Sequence, residues 1–335
     1  IWDAIWKEDP VKERSAEDKK AGKTKYGLKG LKYVARTPSY AIRAVTWPVA
    51  IGADYMIEKG VMRKIADFFS SKDKTFWLYP TLELGFGNST AFGVGLRELD
   101  MFDKNYRLAM NYQIHINLDQ SASLKFSKPD AAEIGGRALS YYIGTNWGHY
   151  RAGNFYGIGP SSSKGDHAIY GSDLLEWGGG AALEIFHGIH VDASLMFSSN
   201  WSRSGENGLP SVETIFPAWE LPGFRNNIIY LAPAIGLWYD NRDSQYNSQK
   251  GGKYSFNIRR YQGINRKGFS YIEYDADAIY FIKLWVERHV LVLHANFLYN
   301  QSTNGKVPFT RLANIDVYSP VRGFSAGRFQ DNGRY

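Results

Sequence analysis

The side chains best suited to chemistry in this sequence are its seven histidines and a few serines. His187 and His190 are three residues apart, which puts them on opposite faces of a β-strand and argues against a shared metal. Ser140 and Ser194 could pair with a histidine in a hydrolase, but neither lies in a Gly-x-Ser-x-Gly elbow. No His-Glu-x-x-His pattern or phosphate-binding loop occurs. We therefore predict that the protein is not an enzyme and holds no metal or cofactor.

The composition is that of a folded protein without cysteine chemistry. The chain has 335 residues, of which 16% are aromatic and none is cysteine. An aromatic content this high argues against a disordered chain, and the lack of cysteine excludes disulfides and thiolate metal sites. No apolar run approaches the roughly 18 residues that a membrane-spanning helix requires, and the mean hydropathy is −0.37. We therefore do not expect a helical membrane protein.

The net charge of +7 is concentrated near the N-terminus. Residues 1–74 hold 16 Lys and Arg against 10 Asp and Glu, whereas the remainder holds 24 against 23. A basic segment suits an anionic membrane surface as well as it suits nucleic acid, so charge alone does not decide between them. Residues 1–37 are polar and rich in lysine, and we predict that they form an extended basic arm.

Residues 38–74 have apolar side chains near helical spacing, which predicts an amphipathic helical segment. Such a segment most often packs on its own protein. It also carries aromatic and basic side chains that fit a membrane interface or a partner protein at the mouth of a barrel, namely Trp47, Tyr55, Lys59, Arg63 and Lys64.

The periodicity changes to two after residue 75, and this is typical of β-strands with one apolar and one polar face. Residues 107–118 alternate without interruption, and residues 183–197, 272–280 and 291–299 show the same pattern. Clusters of turn-forming residues separate these stretches.

Two architectures have long two-faced strands. Strands of a soluble sandwich average about 5 to 6 residues, whereas an outer-membrane barrel needs about 9 to 11. The observed lengths favour the barrel, and a row of Glu273, Asp275 and Asp277 suits a wet lumen with basic partners across it. We predict an all-β fold in which residues 75–335 form a transmembrane antiparallel β-barrel preceded by a short helical segment.

Several short motifs resemble a known family. The stretch from Ser319 to Phe324 resembles the Val-Arg-Gly-Tyr/Phe loop signature of the Omp85 or bacterial surface antigen proteins, the family of BamA and TamA. Three other segments resemble family features in the expected order, namely Asn154–Gly159, Gly236–Asp243 and Lys306–Phe309. The residues concerned are the lumen-loop motif Val321, Arg322, Gly323 and Phe324; the strand-loop motif Asp240, Arg242, Asp243 and Gly251; and the family-like turn Phe155, Tyr156, Gly157 and Gly159.

The resemblance implies a fold and a role. It implies a sixteen-stranded barrel in the bacterial outer membrane, in which Arg322 pairs with acidic and aromatic side chains of the wall and pins the loop in the lumen. It also implies a role in outer-membrane protein or lipid biogenesis or translocation, and contact with outer-membrane lipids and lipopolysaccharide. The N-terminal segment would be periplasmic and could contact other envelope proteins, and no nucleic acid would be bound.

The sequence departs from the larger family members in two ways. Residues 1–74 lack the βααββ pattern of periplasmic POTRA modules, which indicates a short POTRA-less type. Residues 75–335 would supply about 11 to 13 strands at the strand length that a membrane requires, so we expect the last barrel strands to lie beyond the sequence. A structural barrel subunit or passive pore that anchors a multiprotein envelope complex is the alternative function.

Overall fold

The computed structural model describes residues 64, 67–83, 90–160, 162–206, 208–245, 247–285, 289–314, 324 and 327–334. These residues form mainly β-strands. Residues 64, 67 and 68 are helical, α1 (Val212–Ile215) is one helical turn, and three 3₁₀ turns lie at Lys164–Asp166, Ala218–Glu220 and Phe309–Arg311. The strands are β1 (Phe76–Glu83), β2 (Ala91–Met101), β3 (Tyr106–His115), β4 (Gln120–Ile134), β5 (Arg137–Phe155), β6 (Ala168–Phe186), β7 (Ile189–Ser204), β8 (Asn227–Asp240), β9 (Gly251–Gly263), β10 (Phe269–Lys283), β11 (Val290–Gly305), β12 (Ala313–Asn314), β13 (Gln330–Asp331) and β14 (Gly333–Arg334).

The chain divides into two compact units. The larger unit comprises Asp67–Asn241, Gly252–Tyr280 and Leu293–Tyr335. The smaller unit comprises Ile1–Ala66, Arg242–Gly251 and Phe281–Val292. Within the smaller unit, the amide of Leu284 donates to the carbonyl of His289 at 3.0 Å, in the connection between β10 and β11.

Twelve strands form one sheet in the order β1 to β11 followed by β14, and β12 pairs with β13 in a separate two-stranded sheet. The strand pairs whose register is resolved are antiparallel, as in β1 with β2 and β7 with β8. Twelve strands fall within the range that strand length predicts. Among the described residues, no helix is long and apolar enough to cross a membrane.

The larger unit's sheet has a polar face and an apolar face, and the residue register shows this directly. One continuous row of paired residues crosses β1 to β8 on what we term the inner face, and it is largely polar: Tyr79, Gly95, Asn111, Ser123, Asn146, Glu176, Ser198 and Tyr230. The adjacent row on the outer face is largely apolar: Leu78, Leu96, Met110, Leu124, Thr145, Trp177, Phe197 and Leu231.

The apolar row is on the exposed side of the sheet. Trp177 is 52% exposed and Leu78 is 48% exposed, whereas Tyr230 on the inner face is fully buried. A soluble sandwich would bury its apolar face, so this exposure is the pattern of strands that face lipid. The alternation seen in the sequence is therefore the alternation of an outer-membrane barrel.

The buried core lies at one end of the sheet. Its residues come from the ends of β5 to β10 and from three connections, which run from β5 to β6, from β7 to β8, and from β11 to β14. We call this the cap end. The opposite end, where β2 to β3, β4 to β5 and β6 to β7 connect by short turns, is the turn end.

Two stretches of alternation do not form one strand each. Residues 183–197 are divided between β6 and β7 by a turn at His187 and Gly188, so His187 lies in the turn and His190 on β7. The alternation of residues 107–118 continues past His115, but the chain turns there, and the amide of Leu118 donates to the carbonyl of His115 at 2.8 Å. Asn117 and Asp119 hydrogen-bond each other through their side chains at 2.8 Å, which stabilises the turn against continuation of the strand.

Candidate functional site

The segment that follows β11 packs against the inner face of the sheet at the cap end. In this inward segment, residues 306–314, Phe309 is buried and meets the rings of Phe155 and Tyr170 edge-on, with centroids 5.4 and 4.9 Å away. The amide of Phe309 donates to the carbonyl of Pro222 at 3.0 Å. The inward segment is thus held by both the sheet and the connection from β7 to β8.

Arg311 ties the inward segment to the wall. Its guanidinium donates to Oε1 of Glu176 at 3.3 and 3.4 Å and to Oγ of Ser198 at 2.6 Å. Glu176 and Ser198 are paired neighbours on β6 and β7, so one side chain contacts two strands. The side chains of Arg311 and Glu176 are only 16% and 15% exposed, which makes this a largely buried ion pair.

Three tyrosines surround the Arg311 pair. The guanidinium lies 5.6 Å from the ring centroid of Tyr261, which stacks on Tyr271 at 4.6 Å, while Tyr230 meets both rings edge-on. Burial alone would lower the pKa of Arg311, but the tyrosines and Glu176 outweigh it, so the pKa is raised. Arg311 therefore stays charged at any physiological pH.

The same connection returns to the sheet through residues 327–334, which we call the returning limb. The returning limb is fixed to the connection between β5 and β6. Arg328 donates to the carbonyl and to Oγ of Ser162, each at 2.7 Å, and its guanidinium lies 5.4 Å from the ring of Tyr156. The carbonyl of Gln330 accepts from the amide of Gly159 at 2.8 Å. Because β12 pairs with β13, the two limbs also hold each other.

The family-like turn lies in this arrangement. Phe155 is fully buried in the core at the cap end, and Tyr156 stacks on His167 with centroids 4.5 Å apart. Gly157 and Gly159 have φ angles of +96° and +88°, which L side chains rarely adopt, so glycine is required at both. The structure thus places Tyr156 and Gly159 in contact with the returning limb, while Phe155 packs against the inward segment.

A carboxylate secures the connection from β7 to β8. Glu213 in α1 accepts hydrogen bonds from the hydroxyls of Ser204 and Ser211 and from Arg225, the last at 3.1 Å. Partial burial alone would raise the pKa of Glu213, but these hydrogen bonds outweigh it and lower the pKa below its ordinary value. The ionised carboxylate therefore stabilises the connection from β7 to β8 at the cap end.

The strand-loop motif forms a charged turn. Within the smaller unit, Oδ1 of Asp243 accepts from the amides of Gln249 and Lys250 at 2.8 and 3.2 Å, and Arg242 donates to the carbonyl of Gln245 at 3.3 Å. Within the larger unit, the amide of Asp240 donates to the carbonyl of Gly188 at 3.2 Å. Gly251 has a φ of +87° at the start of β9.

The remaining predicted residues are only partly visible. Phe324 is about half exposed and meets the ring of Phe329 edge-on at 5.3 Å. Lys64 is helical and exposed. The rest lie outside the described residues: Val321, Arg322 and Gly323 of the lumen-loop motif, residues 1–37, and Trp47, Tyr55, Lys59 and Arg63.

The comparisons with known proteins agree with this geometry. Residues 100–333 match the model of the Omp85 superfamily domain. The chain belongs to the Omp85 superfamily. Its resemblance to that family and its outer-membrane β-barrel fold are therefore confirmed.

One solved structure similar to this Omp85 chain is BamA from Haemophilus ducreyi lacking POTRA domains 1–3, with a TM-score of 0.56 and 16% sequence identity. The match covers 76% of this chain and 46% of that chain, so this chain spans less than half the length of that BamA. At such low identity the likeness is one of fold. No curated protein matches the chain.

Sequence reasoning overlooked the two arginines that hold the connection from β11 to β14. Arg311 lies two residues after the segment Lys306–Phe309 and Arg328 lies four residues after Phe324, but the sequence pattern singles out neither. Glu176 carried a usable signal, because it is a single carboxylate between Leu175 and Trp177 in a long strand. The pairing of Glu176 with Arg311 spans 135 positions and could not be derived from spacing.

Proposed function

We propose that this Omp85 chain acts in the biogenesis of the bacterial outer membrane, by inserting or translocating outer-membrane proteins or lipids. Membership of the family and the lipid-facing sheet support this proposal. The observation that carries it is the inward segment: Arg311 fixes it to the inner face beneath the cap. A passive pore needs an open lumen, whereas here the inner face is covered at the cap end.

Strand parity supports the proposal that the N-terminal segment is periplasmic. β1 begins at the turn end, because β1 and β2 connect at the opposite end of the sheet. Outer-membrane barrels have short turns on the periplasmic side and long connections outside. The N-terminal segment is then periplasmic and available to other envelope proteins, while lipids and lipopolysaccharide contact the outer face.

The proposed role is not enzymatic. The two closest histidine pairs in the larger unit are with aspartates, His149 with Asp173 at 2.6 Å and His294 with Asp277 at 2.7 Å. The hydroxyl of Ser140 donates to the carbonyl of Ala182 at 3.4 Å. Among the described residues, no group of His, Asp and Glu is arranged to hold a metal ion.

Depletion of the protein in its own host tests the function. We expect the amounts of other outer-membrane barrel proteins, or of surface lipopolysaccharide, to fall severalfold by quantitative proteomics and lipid analysis, and plasmid-borne wild type to restore them. If both stay at wild-type amounts while envelope partners still co-purify with the chain, the protein is a structural subunit and the proposal is wrong.

Conductance in planar bilayers tests the covered lumen. We expect small, noisy currents from the wild type and larger, longer openings from Arg311→Ala, because that change frees the inward segment. Arg203→Ala is the matched control, since Arg203 forms an ion pair with Asp173 on the outer face. Large, stable openings from the wild type would instead identify a passive pore.

A further inference from the structure

A basic and aromatic patch marks the outer face near the turn end. The Lys128 ammonium lies 4.1 Å from the ring centroid of Tyr106 and donates to the carbonyl of Lys104 at 3.1 Å. The ring of Tyr106 stacks on Phe126 with centroids 5.4 Å apart. Lys128 pairs in register with Tyr141 on β5. We call Lys128, Tyr106, Phe126 and Tyr141 the lysine patch.

Register places the lysine patch on the lipid-facing side. Leu124, Phe126 and Lys128 alternate on β4, and Leu124 belongs to the apolar outer row. Lys125 has the opposite parity, and its ammonium lies 4.8 Å from the ring centroid of Tyr142 on the inner face. Lys128 therefore lies on the lipid-facing surface, next to the apolar side chains of Leu124 and Phe126 along β4.

A β-bulge interrupts the pairing of β4 with β5 directly after Lys128. The regular pairing of β4 with β5 ends at Lys128 and resumes at Ala132 after a bulge, within which Asp130 has a φ of +52°. Bulges redirect side chains and end regular pairing. The lysine patch thus lies where regular pairing of β4 with β5 is interrupted, beside the short turn from β2 to β3.

The charge of Lys128 is not neutralised within the described part of the chain. No carboxylate there lies within ion-pair distance of its ammonium, which uses one donor on the carbonyl of Lys104. At the cap end the corresponding cations are paired: Arg203 with Asp173, and Arg151 with Glu206. A lysine at the edge of a lipid-facing surface reaches the membrane interface, where an anionic headgroup supplies a counter-charge.

We propose that the lysine patch binds the headgroup phosphate of an anionic phospholipid, phosphatidylglycerol for example. The two remaining ammonium donors take the phosphate, the tyrosines lie at headgroup level, and the acyl chains run along Phe126 and Leu124. Tyrosines concentrate at membrane interfaces for this reason, because one end of the ring is apolar and the other is wet. The proposal depends on the lipid-facing side of the sheet and not on any biogenesis activity.

Native mass spectrometry of the detergent-purified protein tests this site. The protein is titrated with phosphatidylglycerol or phosphatidylcholine, and the ratio of the two apparent affinities is measured for each variant. We expect Lys128→Gln to lower the preference for phosphatidylglycerol about fivefold, the effect of one lysine at an anionic surface. Lys128→Arg should keep the preference, and Lys125→Gln, three residues away on the inner face, should leave it unchanged.

Three results would overturn the proposal. The first is an unchanged preference in Lys128→Gln. The second is an equal loss in Lys125→Gln, which would mean that only net charge matters. The third is displacement of the lipid by soluble glycerol phosphate at millimolar concentration, which would identify a phosphate site without a role for the acyl chains. Heat-modifiable gel migration confirms that each variant is folded before it is titrated.

Discussion

The ion pair between Arg311 and Glu176 makes the strongest quantitative prediction. Both side chains are largely buried, and Ser198 supplies the arginine with a further acceptor at 2.6 Å. Removing one partner of a buried pair leaves an uncompensated charge and costs about 3 to 5 kcal/mol. We therefore expect Arg311→Met and Glu176→Leu each to lower the free energy of unfolding by an amount in this range.

The double variant distinguishes the cost of an unpaired buried charge from the cost of lost side-chain packing. Replacing a buried ion pair by apolar side chains of similar volume is often close to neutral. We expect Arg311→Met with Glu176→Leu to recover most of the loss, so that the two changes are strongly non-additive. Urea unfolding in lipid bilayers, followed by tryptophan fluorescence, measures the three free energies.

A surface pair provides the control. Arg151 pairs with Glu206 at 3.2 Å, but the Glu206 side chain is 54% exposed. Exposed pairs contribute about 0 to 1 kcal/mol, so Arg151→Met should fall within that range. The reasoning fails if Arg311→Met costs no more than Arg151→Met, or if the double variant is as unstable as the sum of the single ones.

Three further predictions concern the cap. Folding lowers the pKa of Glu213 below its ordinary value of 4.5. The ionised carboxylate therefore contributes its full stabilisation above about pH 4.5, and this stabilisation is lost as the pH falls through the lower pKa of the folded state. In Glu213→Gln, the free energy of unfolding should not show this loss at acid pH. Gly327 and Gly208 both have a φ of +74°. A Cβ added at Gly327 would lie 2.4 Å from the carbonyl oxygen of Asn154, whereas a Cβ added at Gly208 would meet no atom within 4 Å. Gly327→Ala should therefore cost clearly more than the roughly 1 kcal/mol expected for Gly208→Ala, and equal costs would contradict the packing. Arg328→Ala should release the returning limb and speed thiol labelling of a cysteine introduced at Phe324, in a chain with no cysteine of its own; unchanged labelling would show that the limb is held elsewhere.

The faces of the strands could be predicted from the sequence because side-chain alternation is a local property. Residues 183–197 alternate in the sequence. The structure divides them between β6 and β7, but Leu183 and Leu195 lie on the outer face, where Leu183 pairs with Val191. The resemblance also identified the turn at Gly157 and Gly159, where backbone conformation requires glycine.

The loop anchors could not be predicted, because they depend on contacts between distant segments. Arg322 was predicted to pin the loop, and it stays a prediction because it lies outside the described residues. The observed anchors are Arg311 and Arg328, whose partners are 135 and 166 positions away in the sequence. A single arginine in a loop looks the same whether it is solvated or buried, so local pattern alone cannot distinguish the two.

The uneven position of the core predicts how the sheet opens. The described core cluster runs from Phe155 to Leu312, and Ala91 is the one buried hydrophobic residue before it among the described residues. Strands β1 to β4 therefore depend on backbone pairing and lipid contact, whereas β6 to β8 also pack against the inward segment. Local opening is easier where few buried contacts must be broken.

Hydrogen exchange in detergent should be faster in β1 to β4 than in β6 to β8, and Arg311→Ala should accelerate exchange in β6 and β7 without affecting β2 and β3. Uniform exchange across the sheet, or acceleration of all strands together, would mean that the barrel opens as one unit and that the inward segment stabilises it globally.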